Sequence, residues 1–90
     1  MVHQCIKFTV TGGVQGVGFR YHTARFGMKT GVTGYAKNLN NGDVEVLVCG
    51  DESQIIEMQQ YLRQGPPSAS VESLESENIE PKPYAGFDIL

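Results

Sequence analysis

The sequence predicts an α+β fold of the ferredoxin-like type: a β-α-β-β-α-β sandwich with two helices on one face of an antiparallel sheet and a short C-terminal extra strand. Three observations predict it. Segments with the two-residue alternation of half-buried strands are interleaved with two segments of helical period. Gly and Pro punctuate the boundaries between them. A chain of 90 residues with 40% hydrophobic side chains can build one modest core and no second, so residues 1–90 read as a single domain.

The first strand is read over Cys5–Thr11, where Ile6, Phe8 and Val10 alternate with Cys5, Lys7, Thr9 and Thr11. Gly12 and Gly13 end it. A helix follows from Phe19 or Tyr21 to Thr30, with Thr23, Ala24, Gly27 and Met28 as a weak inward stripe and Gly31 as its stop signal. Gly27 inside that helix should cost about 1 kcal/mol relative to Ala. Val32–Asn38 reads as the second strand, and Asn40, Asn41 and Gly42 supply an Asn-Gly hairpin turn. Val44, Val46 and Val48 then alternate with Glu45, Leu47 and Cys49 along the third strand. Asp51 or Ser53 caps a second helix that carries Ile55, Met58 and Leu62 at helical spacing and runs to Gln64, where Gly65, Pro66 and Pro67 stop it. Ser70–Glu77 is the fourth strand. An acidic segment with Pro81 and Pro83 follows, and Phe87–Leu90 is the short terminal strand.

Charge is divided along the chain. Residues 1–42 hold Lys7, Arg20, Arg25, Lys29 and Lys37 and no Asp or Glu, whereas residues 43–90 hold ten acids against Arg63 and Lys82. A wholly basic first half points to an anionic partner. Five cations fall short of a duplex-DNA footprint, so a small anion is expected and a nucleic acid is not. No run of 18 apolar residues is present, and the first dozen residues interleave polar with apolar side chains. The expectation is a cytoplasmic protein without a membrane partner.

Chain direction places the candidate site. If the first strand runs up and its helix returns, the second strand runs up as well, so the loop near residues 12–20 and the turn near 38–42 share one end. The third strand runs down beside the first and brings Cys5 and Cys49 together at the opposite end, on the outward parity of both strands. Two cysteines make no disulfide framework, and free thiols are the simplest reading. The register leaves a Cys5–Cys49 disulfide equally open. His3 with Cys5 is a weak metal pair, and the reading assigns no metal site.

The loop from Gly12 to Gly18 joins a strand to a helix and contains Gly12, Gly13, Gly16 and Gly18. Glycines allow positive φ, which lets successive N–H groups converge on a small anion. Phe19 and Arg20 stand where a Walker loop needs Lys and Ser or Thr, and Tyr21 stands where a dinucleotide fingerprint needs Gly, so no nucleotide is inferred. Arg20 in the first turn of a helix opposes the helix dipole unless an anion lies between the amides and the guanidinium. Asn38 ends the second strand beside the loop, and its amide offers an acceptor and donors to a water. On position alone Asn38 could equally be a turn residue with Asn40 and Asn41. The sequence has no cysteine-phosphatase loop and no Asp-x-Asp pair, and its first 42 residues have no carboxylate for magnesium. His22 is two residues from Arg20 and faces elsewhere on the helix. Phe19 and Tyr35 read as packing aromatics, and Lys37 reads equally as a contributor to the positive field or as an exposed strand residue.

The stretch VTGGVQGVGFR from Val10 to Arg20, together with GYAKNLNNGDV from Gly34 to Val44 and the closing Gly50, resembles the acylphosphatase family. Both signatures stand at the expected separation, and the resemblance weakens after about residue 66. It implies hydrolysis of the carboxyl-phosphate bond of acyl phosphates, without metal or other cofactor, to carboxylate and inorganic phosphate. Carried over, Arg20 and the amides of Gln15, Gly16, Val17, Gly18, Phe19 and Arg20 would hold the phosphoryl group, and Asn38 would orient the attacking water. A monomer is expected. Gly13 departs from the basic or polar residue common in relatives, Gly27 and Thr30 from Ala and Leu, and the Phe87–Leu90 ending lacks the usual Arg or Tyr. Two other readings use the same fold: a non-catalytic anion sensor or maturation-factor-like module, and an RNA-binding module. The latter lacks paired aromatics on its third strand, which reads Val-Glu-Val-Leu-Val.

Overall fold

Strand alternation and helical period sort the chain into seven elements in a computed structural model that describes residues 3–90. They are β1 (Gln4–Gly13), α1 (Phe19–Thr30), β2 (Thr33–Asn38), β3 (Val44–Gly50), α2 (Glu52–Gln64), β4 (Ser70–Ile79) and β5 (Phe87–Ile89). The sheet order is β4-β1-β3-β2-β5. The first four strands pair antiparallel, whereas β5 lies parallel to β2, with Gly34 opposite Phe87 and Ala36 opposite Ile89. The sheet is therefore mixed, not wholly antiparallel as the sequence suggested. Direction explains the difference: β4 ends opposite Cys5 and β2 starts opposite Cys49, at the same end of the sheet. A strand entered from that end on the far side of β2 must run with it.

The core follows the parity of the strands. Ile6, Phe8 and Val10 face Val48, Val46 and Val44 in register, and all six are buried against Phe19, Ala24, Ile55, Met58 and Leu62 from the two helices. Phe26 and Tyr61 stack between the helices with ring centroids 4.4 Å apart. Helix α2 begins in a full capping box in which the Asp51 carboxylate accepts from the Gln54 amide, and Gln54 in turn bonds the Asp51 N–H. The bond from the Gln54 amide, with help from Ser53, holds the Asp51 carboxyl below its ordinary range.

Two local expectations change. Met28 is 60% exposed, because at about 100° per residue it falls half a turn from Phe19 and outside the buried stripe of Phe19, Thr23, Ala24 and Gly27. Gly27 is a clearance and not merely a helix cost, since a Cβ there would come within 2.7 Å of the Phe87 ring. The hairpin turn after β2 forms at Asn40, Asn41 and Gly42, as read from the sequence. Leu39 and Asp43 pair through a 2.8 Å bond, the Gly42 N–H closes on the Leu39 carbonyl, and Gly42 has φ 99° while every described residue with positive φ is a glycine. That pattern is a turn of ordinary hand ended by a glycine bulge.

On the face away from the helices, Cys5, Leu47 and Cys49 form a second buried cluster with Tyr35, Ile79 and Tyr84 packed on it. Cys5 and Cys49 are joined by a disulfide and are each 1% exposed. They lie on the outward parity of their strands, yet the chain between β4 and β5 covers them by laying Tyr84 across the cluster.

Candidate active site

The loop between β1 and α1 is shaped by two left-handed glycines, Gly16 at φ 75° and Gly18 at φ 77°. Side-chain-bearing residues avoid that region, so this turn into the helix depends on them. Gly18 is also the N-cap of α1, and it brings no side chain to bond the first helical amides. The first hydrogen bond of the helix runs from the His22 N–H to the Gly18 carbonyl. The amides ahead of it lack an intrahelical partner, and the first turn holds no acidic residue. Unpaired N–H groups at the positive end of a helix dipole make an anion site.

A small recess of about 130 Å³ opens at this point, lined by Val14, Gly16, Gly18, Phe19, Arg20, Tyr21, Asn38 and Ile89. Its volume is well below the roughly 300–1,000 Å³ of pockets that take drug-sized ligands. A much larger cavity, about 610 Å³, lies around His3, Cys49 and Tyr84 at the other end of the strands. The recess is the one that carries the chemistry, because the glycine loop, Arg20 and Asn38 meet there.

Two polar side chains, Arg20 and Asn38, bear on the recess. Arg20 is half-buried, and its Nη1 donates to the main-chain oxygen of Leu90 at 2.7 Å. Asn38 Oδ1 is buried and has no hydrogen-bond partner among the described residues. A buried acceptor left unpaired costs about 1–3 kcal/mol, which a water donating from the recess would recover. No lining residue carries a carboxylate.

Of the residues singled out in the sequence, Gly16, Gly18, Phe19, Arg20 and Asn38 line the recess, whereas Gln15 and Val17 do not. The Phe19 side chain is core, and Val17 packs on the core and accepts from Ser68 through its carbonyl. The Gln15 side chain has a task that the sequence did not suggest. Its Nε2 donates to the carbonyls of Leu39 and Asp43 at 2.7 and 2.9 Å, fastening the glycine loop to the turn that follows Asn38. Ile89, which the parallel pairing of β5 on β2 brings to the recess, and Leu90, whose main-chain oxygen Arg20 bonds, were not among the expected site residues. His22 and Tyr35 do not line it.

The acylphosphatase family model matches residues 6–89, nearly the whole chain. The chain belongs to the acylphosphatase family. It is 55% identical over 87 residues to an acylphosphatase of Vibrio parahaemolyticus, covering 97% of each chain. It is also 54% identical over 91 residues to that of Vibrio cholerae El Tor, covering both in full. Among solved structures, an acylphosphatase from Coxiella burnetii superposes with a TM-score of 0.93 at 38% identity, covering 98% of this chain and 93% of that one. The fold alone does not separate enzymes from modules. Full-length HypF in a phosphate- and nucleotide-bound form matches with a TM-score of 0.91 and 27% identity, but this chain covers only 12% of it. Full-length identity above one half decides for the enzyme, so the acylphosphatase activity, a hydrolase acting on acyl phosphates, is this chain's own.

Proposed function

We propose that this acylphosphatase binds the phosphoryl group of its substrate between the glycine-loop amides, from Gln15 to Arg20, and the Arg20 guanidinium, while Asn38 orients the attacking water. The observation that carries the reading is the unpartnered Asn38 Oδ1 at the wall of the recess that Arg20 and the loop glycines line. A water donating to that oxygen is held by one proton, which leaves a lone pair to face the phosphorus. The carboxylate leaving group has a pKa near about 4, so it departs without a general acid. The remaining demand is alignment and stabilisation of charge on the phosphoryl oxygens. Preorganised amides and one fork-shaped guanidinium meet it. The recess offers no carboxylate side chain to hold a divalent cation, and a phosphoryl oxygen of the substrate takes the water's proton. We further propose that the enzyme works as a monomer in the cytoplasm.

The test is release of carboxylate and phosphate from an aryl acyl phosphate in excess chelator, with the wild type beside Arg20→Ala. Turnover that survives the chelator and disappears in the variant is expected. Full activity of the variant, or loss of wild-type activity in the chelator, would remove the proposed mechanism.

A further inference from the structure

The far end of β1 and β3 holds a second constellation of chemically capable groups. His3, Cys5 and Cys49 each offer one ligand atom, and the three atoms lie within 4.8 Å of one another. The sequence offered only His3 and Cys5 as a pair; the antiparallel register adds Cys49 directly opposite Cys5. His3 is exposed, the two cysteines are buried, and His3 and Cys49 both line the 610 Å³ cavity. The cavity gives solutes a route to the sulfur pair. His3 and Cys5 also line a second opening, of about 260 Å³, beside Asn78, Ile79 and Pro81.

We propose that the Cys5–Cys49 pair, when reduced, forms with His3 a binding site for a thiophilic divalent cation of the zinc class, so that the disulfide and the metal are alternative occupants of one position. The oxidised pair cannot serve, because the ligand is the thiolate. A dithiol reductant converts it. One thiolate of the reductant attacks a sulfur of the disulfide, and its second thiol resolves the mixed disulfide. Two electrons pass to the protein sulfurs, and the reductant leaves as its own disulfide. Disulfides are unusual in a reducing cytoplasm, where the thiol form is the expected one. The two thiols then bind the cation as thiolates and release two protons, and neutral imidazole supplies the third ligand.

The geometry suits that occupant. Zinc takes thiolate at about 2.3 Å and imidazole at about 2.0 Å, which places tetrahedral donors roughly 3.5 Å apart. Breaking the sulfur bond lets the two side chains rotate apart to that spacing, and the exposed His3 ring has room to close on them. Two sulfurs and one nitrogen leave the fourth position to water from the cavity, since the Asp51 carboxylate on the same wall is engaged by Gln54 and Ser53. Soft sulfur ligands favour zinc over magnesium or calcium. This site is separate from the recess of Arg20 and Asn38, so its test reads metal and not turnover.

The protein is reduced with a phosphine, kept free of oxygen, and titrated with Zn²⁺ against a chromophoric chelator. One Zn²⁺ per reduced chain is expected, with none bound by the oxidised protein at the same concentration. Replacing zinc by Co²⁺ should give a thiolate-to-cobalt charge-transfer band in the near ultraviolet. His3→Ala, an exposed change that spares the core, should weaken zinc binding by about tenfold or more, the scale seen even for losses outside the ligand set. A reduced chain that binds no zinc would overturn the proposal, as would undiminished affinity in His3→Ala or equal binding by the oxidised form. Loss of the folded near-ultraviolet signal on reduction alone would also overturn it, because the three donors would not then be assembled.

Discussion

The two ends of the β1–β3 pair are built on opposite principles. At the loop end, polar groups are held without partners among the described residues: the first amides of α1 have no side-chain cap, and Asn38 Oδ1 accepts no hydrogen bond. At the cysteine end, groups are tied up. A disulfide joins the strands there, and Tyr35, packed on the same outward cluster, ties its hydroxyl to the Glu45 carboxylate further along β3 at 2.6 Å. Burial, reinforced by Glu45, pushes the Tyr35 phenol up to about 12. Each unpaired buried group costs on the order of 1–3 kcal/mol, and a crosslink returns about 2–4 kcal/mol. In the oxidised protein, satisfaction at one end therefore offsets frustration at the other, and frustration in a recess that faces solvent is where ligand binding is worth most.

The comparison breaks most sharply at Arg20. Arg20→Ala should lower kcat/KM by about 10³-fold or more, since an arginine on a transferring phosphoryl group is worth that much. Phosphate affinity, read by competitive inhibition, should fall with it. Asn38→Ala comes next, with a loss of about 10²–10³ in kcat and a modest change in phosphate affinity, because the water and not the phosphoryl group loses its guide. It should cost little stability, since it removes an acceptor that was already unpaired. At the other end the effect should invert. Replacing both cysteines by Ala opens a crosslink across 44 residues and should lower unfolding stability by about 2–4 kcal/mol in chemical denaturation. The kcat of that variant should stay within about twofold of wild type, because the recess lies beyond the Val10–Val44 pair, at the other end of β1 and β3, and is spared a local change.

How much of this was legible depended on sequence separation. The glycine loop, Arg20 in the first turn and the alternation of Ile6, Phe8 and Val10 are local patterns, and each stands in the structure where its period placed it. The meeting of Cys5 with Cys49 followed from the fold's strand order, which seats β3 antiparallel beside β1. Gly27 read as a defect because its purpose, clearance for Phe87, lies 60 residues away in a strand whose partner was unknown. Ile89 and Leu90 stood out only as an unusual ending, and their place beside Arg20 was unread for the same reason. Their approach to Arg20 follows from the parallel seating of β5, which strand direction could have supplied once β4 was known to end beside Cys5. The Gln15 side chain was the least legible, since an amide gives no sign in sequence of which distant carbonyls it will reach.

Gln15 therefore sharpens the comparison at its finest grain. The loop that would hold phosphate and the turn that carries Asn38 come from different strands, and the Gln15 amide spans them with bonds to Leu39 and Asp43. Both carbonyls have a second partner, Gly42 for one and Leu39 for the other, so removing Gln15 strands neither. Gln15→Met keeps the length of the side chain and deletes its donors. Stability should then fall by only about 0.5–1.5 kcal/mol, the net value of ordinary hydrogen bonds. The expected kinetic signature is a drop of about tenfold in kcat with phosphate inhibition unchanged, because misalignment of water and phosphoryl group costs rate without costing ground-state binding. Equal losses in phosphate affinity and kcat would instead mean that Gln15 shapes the loop itself. An unaffected kcat would mean that β2 and β3 hold Asn38 in place without it.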